Sequence, residues 1–174
     1  MKLKTWHILG IIFTLITGSL LHFTYEWSGK NPIVASFSPV NESTWEHLKM
    51  LFVPFIVFTI IEHFGYGRNR PNFIPIKFIA IIVGLGTIIT VYYTYTGILG
   101  KHILTVDIAV YILGVLVTYW VSYYYLQTLR FSYVSVITLG CFGFIMLALC
   151  FVLFTYRAPH IGLFYDPITK GYGL

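Results

Sequence analysis

The sequence predicts an all-α, polytopic membrane bundle of five transmembrane helices, and three observations carry that expectation. First, 57% of the residues are hydrophobic and only 10% are charged, whereas soluble domains carry roughly 25% charged residues. Mean hydropathy is +0.81. Second, apolar runs about 20 residues long recur along the chain, the length needed to cross the hydrocarbon of a bilayer. Third, aromatic residues, 19% of the chain, gather at the ends of those runs, where interfacial belts form.

Span one is expected over residues 5–27. Trp6 and Trp27 bracket it, 21 residues apart, which is about 31 Å of helix. Its apolar run is too long for a signal-peptide core and no small-residue cleavage site closes it, so it reads as an uncleaved span. Span two covers about 44–66 and contains Pro54, a kink signal. Its start is written in NESTWEHLK, residues 41–49. Ser43-Thr44-Trp45-Glu46 fits a capping box, in which Ser43 accepts from the Glu46 amide and Glu46 reaches back to the Ser43 amide. Lys49 pairs with Glu46 one turn away. Spans three, four and five are expected over 76–98, 105–126 and 132–156. Cys141 and Cys150 lie in the last, roughly 13 Å apart along the helix. That is too far for a disulfide, and they read as small buried hydrophobes. The tail, 157–174, is too rich in Leu163, Phe164, Tyr165 and Tyr172 to stay solvated. It is expected to fold over the outer end of the bundle, and the chain 1–174 to form a single bundle.

Charge orients the bundle. Lys2, Lys4, Arg68, Arg70, Lys77 and Arg130 fall on one side, and Lys30, Lys49, Lys101, Arg157 and Lys170 on the other. The first helix often sets orientation, and its two lysines have no acid beside them, so the N-terminus is expected inside and the C-terminus outside. The net charge of +5 is thus topological. No basic cluster dense enough for nucleic acid is present. The partner the composition implies is the lipid bilayer. A homodimer through the glycine-rich helix faces is a further possibility, since small residues allow close helix approach.

This orientation gathers the titratable groups at the outer end: Glu26, Glu42, Glu46, Asp107 and Asp166, with His22, His47, His102 and His160. Along span one Gly10, Thr14, Gly18, His22 and Glu26 recur every four residues, a stripe that looks inward. A histidine and a carboxylate one turn apart can share a metal ion or a proton. His22, Glu26, Glu46 and His160 are therefore candidate catalytic groups and candidate ligands for a divalent metal ion, with His47 and Asp166 in support. Four of these also have a plainer account, His22 as a hydrogen-bond partner of a neighbouring helix. Glu26 suits a solvated helix end, Glu46 a cap, and His160 an interfacial tail. Glu62 at the inner end is expected to pair with Lys77 or the Arg68–Arg70 loop. Gly84 and Gly86 are packing candidates in span three. No metalloprotease, phosphate-loop, nucleophile-elbow or dinucleotide-binding motif occurs.

The segments HFTYEWSG, SPVNESTWEHLK, RPNFIPIK, YYTYTGILGK and APHIGLFYDP together resemble a small family of bacterial five-span membrane proteins catalogued as a domain of unknown function. WEHLK and PHIxLFYDP are its most specific parts. The resemblance implies a bacterial inner-membrane setting and assigns no activity. The residues themselves leave three readings open. One is a metal-assisted hydrolase or transferase on a lipid-like or envelope substrate. The others are a transporter or binding protein for a small solute or cation, and an accessory membrane subunit.

Overall fold

The computed structural model describes residues 2–129 and 133–174. Arg130, counted above as an inner charge, and Ser132, taken as the start of span five, lie outside the described residues. The chain forms long helices α1 (Leu3–Trp27), α3 (Thr44–Gly65), α4 (Phe73–Leu99), α5 (Leu104–Thr128) and α6 (Val134–Tyr156). A four-residue helix, α2 (Pro32–Ala35), interrupts the first connection. All five long helices are apolar and long enough to cross a membrane. Helix α4 starts before Pro75, because the first-turn amides have no intrahelical partner and proline loses nothing there. Helix α3 runs through Pro54.

Helices α1, α3, α4 and α5 enclose the core. Leu51, Phe55, Ile81, Val115 and Tyr119 are almost wholly buried in it. Glycines let these helices approach. A Cβ at Gly18 would lie 2.3 Å from the Met50 carbonyl oxygen, and one at Gly84 would lie 1.8 Å from the Thr118 hydroxyl. Gly10, Gly114, Gly140 and Gly143 are likewise filled by neighbours within the chain, whereas Gly86 faces open space. Helix α6 packs mainly on α4 and turns most of its surface outward. Cys141 is accordingly exposed and Cys150 half-buried, a correction to the buried sites expected. A lipid-facing helix is as apolar as a core, so composition does not separate the two.

The inward stripe of α1 holds for Gly10, Thr14 and Gly18, is joined by His7, and fails at Glu26. A four-residue step overshoots a helical turn, so by Glu26 the stripe has rotated about 160° from Gly10. Glu26 instead meets Lys30 at 3.6 Å in solvent.

At the end of the bundle near the N-terminus, Lys77 and Glu62 form a fully buried ion pair, to which Tyr66 donates a hydrogen bond at 2.9 Å. At the opposite end the tail folds back. Phe164 packs against Trp45 and Phe154, and the Leu174 amide donates to Thr155 O at 2.8 Å. A two-residue hairpin pairs Tyr165 with Tyr172. We call this the tail end.

Candidate metal centre at the tail end

Three side chains meet where α1 ends and α3 begins. His22 comes from the penultimate turn of α1. His47 comes from the first turn of α3. Glu42 comes from the residue just ahead of the Ser43 cap. One ligating atom from each lies within 4.8 Å of the other two, and among the described residues this is the group with that geometry. His47 Nε2 is 3.3 Å from Glu42 Oε2, and His22 Nε2 is 3.7 Å from Glu42 Oε1. The imidazole centroids stand 5.1 Å apart.

The cap explains how the pieces converge. Ser43 Oγ accepts from the Glu46 amide at 3.4 Å, so the helix starts where a capping box places it. The reciprocal half of the box does not form. The Ser43 amide donates to Asn41 Oδ1 at 3.0 Å, and the Glu46 carboxylate turns inward. Glu46 Oε2 accepts from the Val40 amide at 3.0 Å and from Lys49 Nζ at 2.7 Å. Its Oε1 accepts from Thr155 Oγ1 at 2.9 Å. Lys49, wholly buried, also donates to Ala35 O and Ser38 O. The backbone of residues 35–40 is thus clamped to α3 and α6. Beyond it, Asn41 Nδ2 donates to Gly173 O at 3.0 Å. These contacts hold the strand of chain that delivers Glu42.

Tautomers follow from the acceptors. His47 Nδ1 lies 2.9 Å from Ser43 O, and a carbonyl can only accept, so Nδ1 carries a proton. Nε2 then faces a carboxylate at 3.3 Å, which demands a cation between them, either a proton or a metal ion. A histidine oriented by a backbone carbonyl through its other nitrogen is a recurrent metal-ligand arrangement. His22 lacks that support, since its Nδ1 is buried without a partner among the described residues. Glu42 lies outside the spans. The hydrogen bond from His47 holds its carboxyl below the ordinary glutamate value, partial burial opposes this, and charge on His47, His22 and His102 lowers it further.

The structure brings together His22 and His47 of the residues singled out from sequence, and leaves the others apart. Glu26 pairs with Lys30. Glu46 belongs to the buried Lys49 clamp. His160 stacks on Tyr172 with centroids 4.6 Å apart. Asp166 caps its own turn, accepting from the Ile168 amide at 2.9 Å and the Thr169 hydroxyl at 2.6 Å. Glu42 is the member that sequence reasoning passed over, as an acid suited to the helix dipole. The signal for it was its position directly before a serine cap, with a histidine one turn inside. A second cluster lies at the same end, where Asp107 accepts a hydrogen bond from Tyr95 and sits 3.4 Å from His102.

No curated protein and no solved structure matches the chain. The family model that does match spans the whole chain, its five apolar helices, its cap and its tail: the chain belongs to the family of unknown function DUF6512, matched over residues 1–174.

Proposed function

We propose that this multi-pass membrane protein binds a divalent transition metal ion through His22, Glu42 and His47, and that the metal serves hydrolysis or group transfer on a lipid-like or envelope substrate. The observation that carries the reading is the convergence of the three ligating atoms within 4.8 Å. Donors around a tetrahedral zinc stand about 3.3 Å apart. The separations of 3.3 and 3.7 Å to Glu42 are of that size, each to a different carboxylate oxygen, and side-chain shifts that bring the three ligating atoms in from 4.8 Å would close the site. Two imidazoles and a carboxylate are a ligand set of catalytic zinc, and three protein ligands leave one position for water or substrate. A metal so held supplies Lewis acidity and an ionisable water. The ligands sit at the end of two candidate spans, and a site at that level supports a lipid-like substrate over one deep in the bilayer.

The test begins with protein purified in detergent without chelators. Elemental analysis is expected to find about one equivalent of zinc or manganese, lost in His22→Ala, His47→Ala and Glu42→Gln. Glu26→Ala and His160→Ala are expected to keep it. Metal-loaded protein, but not chelated protein, is then expected to release product from a membrane-lipid extract. Absence of metal in the wild type, or the same content in all variants, would overturn the reading. A second reading, passage of a small solute or cation, draws on the Glu62–Lys77 pair buried at the other end, because intramembrane ionisable groups mark such paths. Solute flux in proteoliposomes that falls in Glu62→Gln would favour it.

A further inference from the structure

A groove of about 490 Å³ opens between α1 and α5 at the end opposite the metal centre. Its apolar walls are Ile8 and Ile11 from α1 and Leu116, Val117 and Trp120 from α5. Lys4, His7 and Tyr123 complete the lining at the end nearest the start of α1, which serves as its mouth. Leu116 to Tyr123 spans seven residues, about 10 Å of helix. Half a hydrocarbon core is about 15 Å, so the groove starts at the interface and ends within a single leaflet.

The polar groups at the mouth differ in how they are engaged. His7 is committed to the bundle, donating from Nδ1 to Leu3 O at 3.0 Å, with Nε2 3.0 Å from Ser122 Oγ. Lys4 is exposed and has no ion-pair partner among the described residues. No acid lies in the first turn of α1. The Tyr123 hydroxyl makes no side-chain hydrogen bond within the described chain, while its ring packs edge-on to His7 at 5.4 Å. A lysine without an ion-pair partner and a tyrosine whose hydroxyl makes no side-chain hydrogen bond among the described residues therefore border an apolar slot, and the positive end of α1 adds to the field there. This is the complement of a phosphate with a hydrocarbon chain attached.

We propose that the α1–α5 groove is a binding site for an anionic phospholipid, with its phosphate on Lys4 and Tyr123 and one acyl chain along Ile8, Ile11, Leu116 and Trp120. A zwitterionic lipid would fill the slot equally well, but its own quaternary ammonium already balances the phosphate that Lys4 would pair with. A basic side chain at a membrane surface favours anionic lipid by about fivefold, and that factor sets the expected selectivity.

Trp120 reports on the groove from inside. The protein is reconstituted in phosphatidylcholine containing a minor fraction of brominated phosphatidylglycerol or brominated phosphatidylcholine, and the Trp120 emission is taken as the difference from a Trp120→Phe variant. Brominated phosphatidylglycerol is expected to quench that emission at about one-fifth the mole fraction that the choline lipid needs. The preference is expected to vanish in Lys4→Gln, to persist in Lys4→Arg, and to shrink with added salt. Lys4 is exposed, so these variants keep the fold, checked by helical circular dichroism. Equal quenching by both lipids would reduce the groove to ordinary boundary lipid and overturn the proposal. So would a preference that survives Lys4→Gln. Failure of both lipids to quench would show the groove closed to lipid, and would also overturn it.

Discussion

Glu42 and His47 show how one residue pair takes its chemistry from its surroundings. The carboxyl of Glu42 is held low by the hydrogen bond from His47, so its contribution is present above the ordinary glutamate pKa and disappears as pH falls through the lowered folded value. Metal binding has the opposite partner in control. An imidazole must be neutral to bind a metal, and free histidine titrates near about 6.5. Apparent metal affinity is therefore expected to fall with falling pH as the imidazoles take up protons, before Glu42, whose carboxyl is held low, is protonated. A chelator-competition titration across pH checks this, and an affinity that does not change would contradict it. Lys49 illustrates a different balance. It is fully buried against Glu46, Thr155 and two backbone carbonyls. Lys49→Met leaves Glu46 without its cation and is expected to destabilise the protein by about 3–5 kcal/mol, partly recovered when Glu46→Gln is added. Thermal unfolding in detergent measures both.

At the scale of elements, contact between helices is set by where glycine sits. At Gly18 a methyl group would meet the Met50 carbonyl and the Tyr111 hydroxyl, both closer than 3 Å. Gly18→Ala is expected to push α1 from α3 at a cost of about 1–3 kcal/mol, and to move His22 relative to His47. Gly86→Ala meets nothing and is expected to be neutral or stabilising by about 0.5–1 kcal/mol through helix propensity. Thermal scans of the two variants side by side test the assignment. The segment 36–43 and the tail behave as one element, joined by Asn41 to Gly173 and by Lys49 beneath. Asn41→Ala loosens the chain that delivers Glu42. A rise in the metal dissociation constant is therefore expected, with helical content unchanged. The cap at Ser43 was legible in NESTWEHLK because its hydrogen bond is local. The inward turn of Glu46 was not, because its partners are Val40 and Thr155, and Thr155 lies 109 residues away.

Over the whole molecule, the ion pairs bear on topology. Lys49 and Lys77 are buried against Glu46 and Glu62, so neither acts as a loop charge, and Lys2 and Lys4 become the leading determinant of orientation. A phosphatase fused after Leu174 is expected to be active outside the cell, and charge reversal at Lys2 and Lys4 to reduce that activity. Five spans were readable directly from the chain, because a helix in lipid must be apolar for its full length whatever it packs against. For the same reason composition did not say which face of each helix points inward. Lipid and core are equally apolar, and so Cys141 faces outward and Glu26 leaves the stripe that Gly10 and Thr14 begin. Sequence alone determined the five long apolar helices, the cap at Ser43 and the gathering of histidines and acids at one end. Only the tertiary structure decided that His22 and His47 meet Glu42 while Glu46, His160 and Asp166 turn to other partners. Proximity across helices depends on rotation about their axes and on loop paths, and neither is written in local spacing.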